Sequence, residues 1–199
     1  MTRDRGFTLI ELMITLGIIA FVTAVAIPKL GRTLGTELRK QTRTIIILNR
    51  QLHHMARLKN KTYRLVVDFG DKEKKTKPNI TVESGGASEL VENPDEVQST
   101  FGKHGDKAPA SNFSKDSEIL KHPLELPNGV GFEDVEIENY RNPFVSGKAF
   151  IHFFPQGLVQ KAAIHITDGK SLHWTLVVNP LTAQTDLSQE YIKLRDLDP

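Results

Sequence analysis

The 199-residue chain contains no cysteine. No disulfide holds its fold, and thiol catalysis and cysteine metal sites are excluded. Its charge is nearly balanced, with 26 Lys and Arg against 24 Asp and Glu. It therefore lacks the basic surplus typical of a nucleic-acid-binding domain. Catalytic signatures are missing too: there is no G-x-S-x-G, Walker loop or H-E-x-x-H sequence. The acidic stretch Asp186 to Asp198 lacks the D-x-[DN]-x-[DN]-G spacing of an EF-hand loop. His152, His165 and His173 fall on neighbouring predicted strands. A shared metal there competes with the simpler reading of three polar positions in half-buried strands, and the simpler reading is preferred. His53 and His54 are adjacent on a predicted helix and point apart. No metal site, cofactor or catalytic residue is expected, and the chain does not read as an enzyme.

What the sequence does have is one long apolar run, Gly6 to Pro28, in which Glu11 is the only charged residue. Phe7 to Ile27 is 21 residues, a helix of about 31 Å, close to the thickness of a bilayer's hydrocarbon core. A carboxylate in hydrocarbon costs roughly 2.5 to 3.5 kcal/mol at mid-span and less near an end. Glu11 therefore calls for a partner. A secretory signal, with Arg3 and Arg5 as basic flank and Ala24-Val25-Ala26 as cleavage site, leaves Glu11 without a purpose. A plain membrane anchor does the same.

Gly6-Phe7-Thr8-Leu9-Ile10-Glu11-Leu12 resembles the prepilin-peptidase site of type IV pilins and type II secretion pseudopilins. The resemblance covers about the first 30 residues. It implies that a cytoplasmic leader, 1–6, is removed after Gly6 and that the new amino terminus, Phe7, is N-methylated. Gly6 offers the protease a backbone without a side chain. The resemblance also implies a role in assembly for Glu11, which meets the Phe7 amine of a neighbouring subunit. Pro28, where the family has a helix-bending proline, removes one backbone hydrogen bond. The partners implied are other pseudopilins or pilins through the N-terminal helix, prepilin peptidase and the bacterial inner membrane, crossed once with the C-terminal domain in the periplasm. A positive-inside count runs the other way, because basic residues crowd the flank after Pro28. The motif decides, since processing requires the leader inside. Major type IV pilins commonly carry a disulfide-closed loop, and the absence of cysteine argues against a major pilin.

The expected domains are the 1–6 leader, a 7–28 transmembrane and assembly helix, a 29–61 amphipathic half, and a 62–199 periplasmic β-rich domain. In the amphipathic half, Leu30, Leu34, Leu38, Ile45, Leu48, Leu52 and Met55 recur at helical spacing. Its nine basic residues and one acid read mainly as a solvated face, with nucleic acid or anionic headgroups as lesser alternatives. The pattern turns to strands after Asn60, with Tyr63, Leu65, Val67 and Phe69 alternating and Asn79 to Glu83 following. Residues 84–118, with seven acids and few large apolar residues, read as a long mobile loop. Val130 to Ile137, Ala149 to Phe154, Ala162 to Thr167 and Leu172 to Val178 read as an antiparallel meander divided by Pro155-Gln156-Gly157 and Asp168-Gly169 turns.

The fold class is thus α+β, a long N-terminal helix packed on an antiparallel sheet domain, pilin-like. The succession FFPQG, strand, DG, strand ending in VVNPLT and a final strand is similar to the H-type minor pseudopilin and FimT-like minor pilins over roughly Leu124 to Leu187. It departs where many relatives have glycine after the threonine, because Ala183 follows Thr182 here. The function implied is a minor pseudopilin of type II secretion. The alternative is a minor type IV pilin for pilus assembly or DNA uptake through basic residues such as Lys72, Lys74, Lys75 and Lys77.

Overall fold

A computed structural model describes residues 9–71, 76–86, 112–170 and 172–197. The chain divides into two compact units, Met1–Lys40 and Gln41–Pro199. One helix, α1 (Leu9–Lys59), belongs to both, and Pro28 stands within it. The helix ends where the sequence changes period. Asn60 takes φ 49° and Lys61 N–H donates to Ala56 C=O at 3.1 Å, a left-handed cap that satisfies one of the last free carbonyls.

In the second unit the helix buries Thr42, Ile45, Leu48, Asn49, Leu52 and Ala56, a stripe at three- and four-residue spacing. The sequence places Met55 on this stripe, but Met55 is half-buried and Ala56 takes the inner position. The side chains of Leu30 and Leu34 lie outside the described residues.

Among the described residues nine strands follow: β1 (Thr62–Asp68), β2 (Asn79–Gly85), β3 (Ser114–Lys115), β4 (Leu124–Glu125), β5 (Gly131–Ile137), β6 (Lys148–Phe153), β7 (Ala162–Thr167), β8 (His173–Val178) and β9 (Thr185–Ser188). Strand β1 is central, and its neighbours bury Val66 as well as Tyr63, Leu65 and Val67, so the expected one-face alternation is incomplete.

The described strands form two antiparallel sheets rather than one meander. The first has the order β3-β2-β1-β6, with β4 also on β2; the second runs β5-β7-β8-β9. Strand β6 is the reason. It leaves β5 and pairs with β1, Leu65 opposite Ile151 and Val67 opposite Ala149. Strand β5 pairs instead with β7, Val135 opposite Ile164. The two sheets meet in an edge-to-face contact of Phe69 and Phe132, ring centroids 5.9 Å apart.

The fully buried side chains come from every layer: Ile45 and Leu52 of the helix, Tyr63, Leu65, Ile80, Ile151 and Phe153 of the first sheet, and Ile164, Ile166 and Leu176 of the second. Each such side chain contributes about 1.5–3 kcal/mol by leaving water. This core holds without disulfides.

Residues 84–118 are not all loop. Strand β2 extends to Gly85, and Ser114 and Lys115 pair back onto Ser84 and Glu83. Residues 87–111 lie outside the described residues.

Candidate assembly site and the polar clusters of the β domain

Gly6 and Phe7 lie outside the described residues, and the described site begins at Leu9. From Leu9 to Val22 every residue is exposed, around the whole circumference of the helix. Leu9 is 80% exposed and Phe21 72%. A helix apolar all round is stable only where lipid or other helices surround it. Its polar groups suit such surroundings. The Thr15 hydroxyl donates to the Leu12 carbonyl at 3.0 Å on the same helix. Glu11 lies in the first described turn, where the helix dipole favours a negative charge. Among the described residues no helix is long and apolar enough to cross a membrane. The described side chains of the run stop at Val22, while the apolar sequence continues to Ile27.

Farther along, Arg43, Arg50 and Arg57 are exposed at seven-residue spacing, opposite the buried stripe. Of the basic turn, Lys72, Lys74 and Lys75 lie outside the described residues, and Lys77 sits 3.5 Å from Glu125.

The three strand histidines do not converge; each has its own partner. His152 belongs to the first sheet, where its Nδ1 is 2.8 Å from Gln160 Oε1. Burial holds this imidazole neutral and brings its pKa down to about 4, opposed by the Gln160 hydrogen bond and assisted by the Arg64 charge. His173 lies 3.0 Å from Glu133 at the surface. His165 is 1% exposed, with Nδ1 at 2.7 Å from Asp134 Oδ1 and Nε2 at 2.9 Å from the Ile192 carbonyl. His53 reaches the Gly157 carbonyl at 3.0 Å, and His54 points to solvent. Gly157 takes φ +87°, which favours glycine in the FFPQG turn, and the Arg57 side chain packs close over it, Cδ 3.3 Å from where a Cβ would stand.

Two clusters escaped the sequence reading. Arg64 bonds Glu83 through Nε at 2.7 Å and is stacked between the Phe113 and Phe150 rings, 4.1 and 4.3 Å from their centroids. Phe113 thereby ties down the chain next to β3. The other cluster is Asp134, His165 and Tyr191, with the Tyr191 hydroxyl donating to Asp134 Oδ2 at 3.0 Å. A bulge between Phe132 and Asp134 turns Asp134 inward, and no local pattern in the sequence signals it.

Comparison with known proteins adds two findings. Residues 1–27 match the family model of the prokaryotic N-terminal methylation motif, so the chain carries a prepilin-type N-terminus. Among solved structures the chain is similar to the minor pseudopilin EpsH from the type 2 secretion system of Vibrio cholerae, with 12% identity and a TM-score of 0.40, over 77% of this chain and 97% of that one. No curated protein matches the sequence.

Proposed function

We propose that this chain is a minor pseudopilin of a type II secretion system, a structural subunit of the H type. The observation that carries the reading is a helical stretch, Leu9 to Val22, exposed on all sides and almost wholly apolar, within the N-terminal methylation motif of residues 1–27. In this reading, prepilin peptidase removes Met1 to Gly6 and Phe7 is methylated. The 7–28 segment crosses the inner membrane once, with the β domain in the periplasm. On assembly the helix leaves lipid for a bundle of equivalent helices, and apolar surface stays covered in both places. Glu11 meets the amine of a neighbouring Phe7 there, a pairing that is strong in a low-dielectric bundle. Pro28 loosens the helix between its lipid half and its domain half. The partners are other pseudopilins.

The test is co-fractionation. The full chain, expressed with the pilin-type subunits encoded beside it, enters sheared fibres with secretion pseudopilins. Recovery with type IV pilus subunits instead turns the reading to a minor type IV pilin.

One observation favours a DNA-uptake pilin as a second reading: Arg43, Arg50 and Arg57 form an exposed row. Salt-sensitive binding of the full chain to duplex DNA, lost on replacing these three arginines, selects it.

A further inference from the structure

The last segment of the chain is fastened to the second sheet by side chains of three strands. Thr175 of β8 donates its hydroxyl to the Glu190 carbonyl at 2.6 Å and accepts Ile192 N–H at 3.1 Å. Glu136 of β5 accepts Leu194 N–H. Tyr191 lies flat on His165 of β7, centroids 4.1 Å apart with 22° between the planes, and donates to Asp134 of β5.

At the centre is His165, whose two ring nitrogens both face acceptors: the Asp134 carboxylate and the Ile192 carbonyl. Neither acceptor brings a proton. Both nitrogens must donate, and imidazole does so only as the imidazolium. We propose that His165 is a proton-operated catch for the segment Glu190 to Leu194, holding it on β7 and β8 while protonated and releasing it when deprotonated.

The groups around the ring agree in sign. Burial alone favours the neutral form, but the hydrogen bonds to Asp134 and Ile192 and the charges of Asp134 and Glu136 outweigh it and raise the pKa above the ordinary 6.5. Tyr191, the titratable group of the segment that stacks on the ring, has its phenol raised by burial and by Asp134, and so stays a neutral donor. The held segment supplies the Ile192 carbonyl as the second acceptor of the imidazolium, so holding it favours the protonated ring. Its grip is therefore whole while His165 is protonated and weakens as pH rises through the raised pKa. Release uncovers His165 and Thr175, an inner face of the second sheet.

Hydrogen exchange of the full chain in detergent micelles, read at single amides between pH 5.5 and 9, tests the catch. After correction for intrinsic exchange, protection of Ile192 and Leu194 is flat on the acid side of this range. It then falls with rising pH, by at most about tenfold per pH unit, as His165 loses its proton, while Leu176 in β8 stays protected. His165→Gln lowers protection of Ile192 at all pH and abolishes the dependence. Tyr191→Phe, which leaves both acceptors of the ring in place, keeps the dependence. Ile192 protection that ignores pH in the native chain overturns the proposal, as does a fall shared equally by Leu176. Retained pH dependence in His165→Gln, or its loss in Tyr191→Phe, overturns it as well.

Discussion

Asn49, buried in the middle of the helix stripe, donates its Nδ2 to Thr185 Oγ1 of the last strand at 2.9 Å, across 136 residues of sequence. Among the described residues Asn49 Oδ1 has no hydrogen-bond partner, so the pair is half satisfied. Such a group contributes little net stability, yet it fixes which turn of the helix faces β9, because any slip breaks the bond that the two buried side chains share.

Asn49→Ala is expected to destabilise the second unit by about 1–3 kcal/mol, since it leaves the buried Thr185 hydroxyl with only its bond to the Ala183 carbonyl and opens space. Asn49→Leu with Thr185→Val removes both polar groups together and is expected to restore most of the loss. Urea unfolding of a fragment starting at Lys29 measures both. The compact core of Gln41–Pro199 also predicts that this fragment is soluble and unfolds cooperatively.

Gly70 takes φ +75°, and a Cβ on it meets the Thr76 carbonyl at 2.5 Å. Because the obstacle is backbone, Gly70→Ala is expected to cost about 1–3 kcal/mol, more than the gain from a stiffer unfolded chain. The urea midpoint reports this loss. A midpoint unchanged from the native one contradicts the close approach of Gly70 to the Thr76 carbonyl.

His152 sets the acid limb of stability. Its folded pKa of about 4 lies below the ordinary 6.5, so between these values the unfolded chain binds a proton that the native chain refuses. Its contribution is whole above pH 6.5 and falls by up to about 3 kcal/mol as pH drops to 4. His165 acts in the opposite sense and gives its stability below pH 6.5. His152→Gln is therefore expected to flatten the fall of the urea midpoint between pH 6.5 and 4, whereas His165→Gln is expected to lower the midpoint throughout that range without changing its slope and to remove a fall above pH 6.5.

Much of this protein was legible because its signals are local. The strand at Ala162–Thr167 has the bounds that its apolar run predicts, and the Pro155-Gln156-Gly157 turn sits where its residues place it. Ala183, singled out because relatives carry glycine there, adopts φ 55°, the left-handed conformation that glycine takes most easily. The partnership of β6 with β1 was not legible, since alternation shows that a strand has a buried face but does not say which sheet receives it. Nor was the cluster of Asp134, His165 and Tyr191, which joins residues 31 and 57 positions apart through a bulge.

Glu11→Val separates processing from assembly. In the proposed reading the side chain lies beyond the scissile bond, so the variant is expected to be cleaved normally. On the same reading it loses the cost of a carboxylate in lipid, roughly 2.5 to 3.5 kcal/mol at most, together with the counter-charge proposed for a neighbouring Phe7 amine. Both changes hold the subunit in the bilayer. Fractionation should find mature protein in membranes and little in sheared fibres, with Glu11→Asp intermediate. Normal incorporation of Glu11→Val means either that Glu11 meets no amine or that the subunit caps the fibre.

The central claim is that the first residues are a prepilin leader, and mass spectrometry of the amino terminus tests it most directly. The full chain is co-expressed with a prepilin peptidase and recovered from membranes. The account predicts loss of Met1 to Gly6, an N-methylated Phe7, and no cleavage in Gly6→Leu. An intact Met1, or a chain beginning at Ile27 after cleavage behind Ala26, contradicts it.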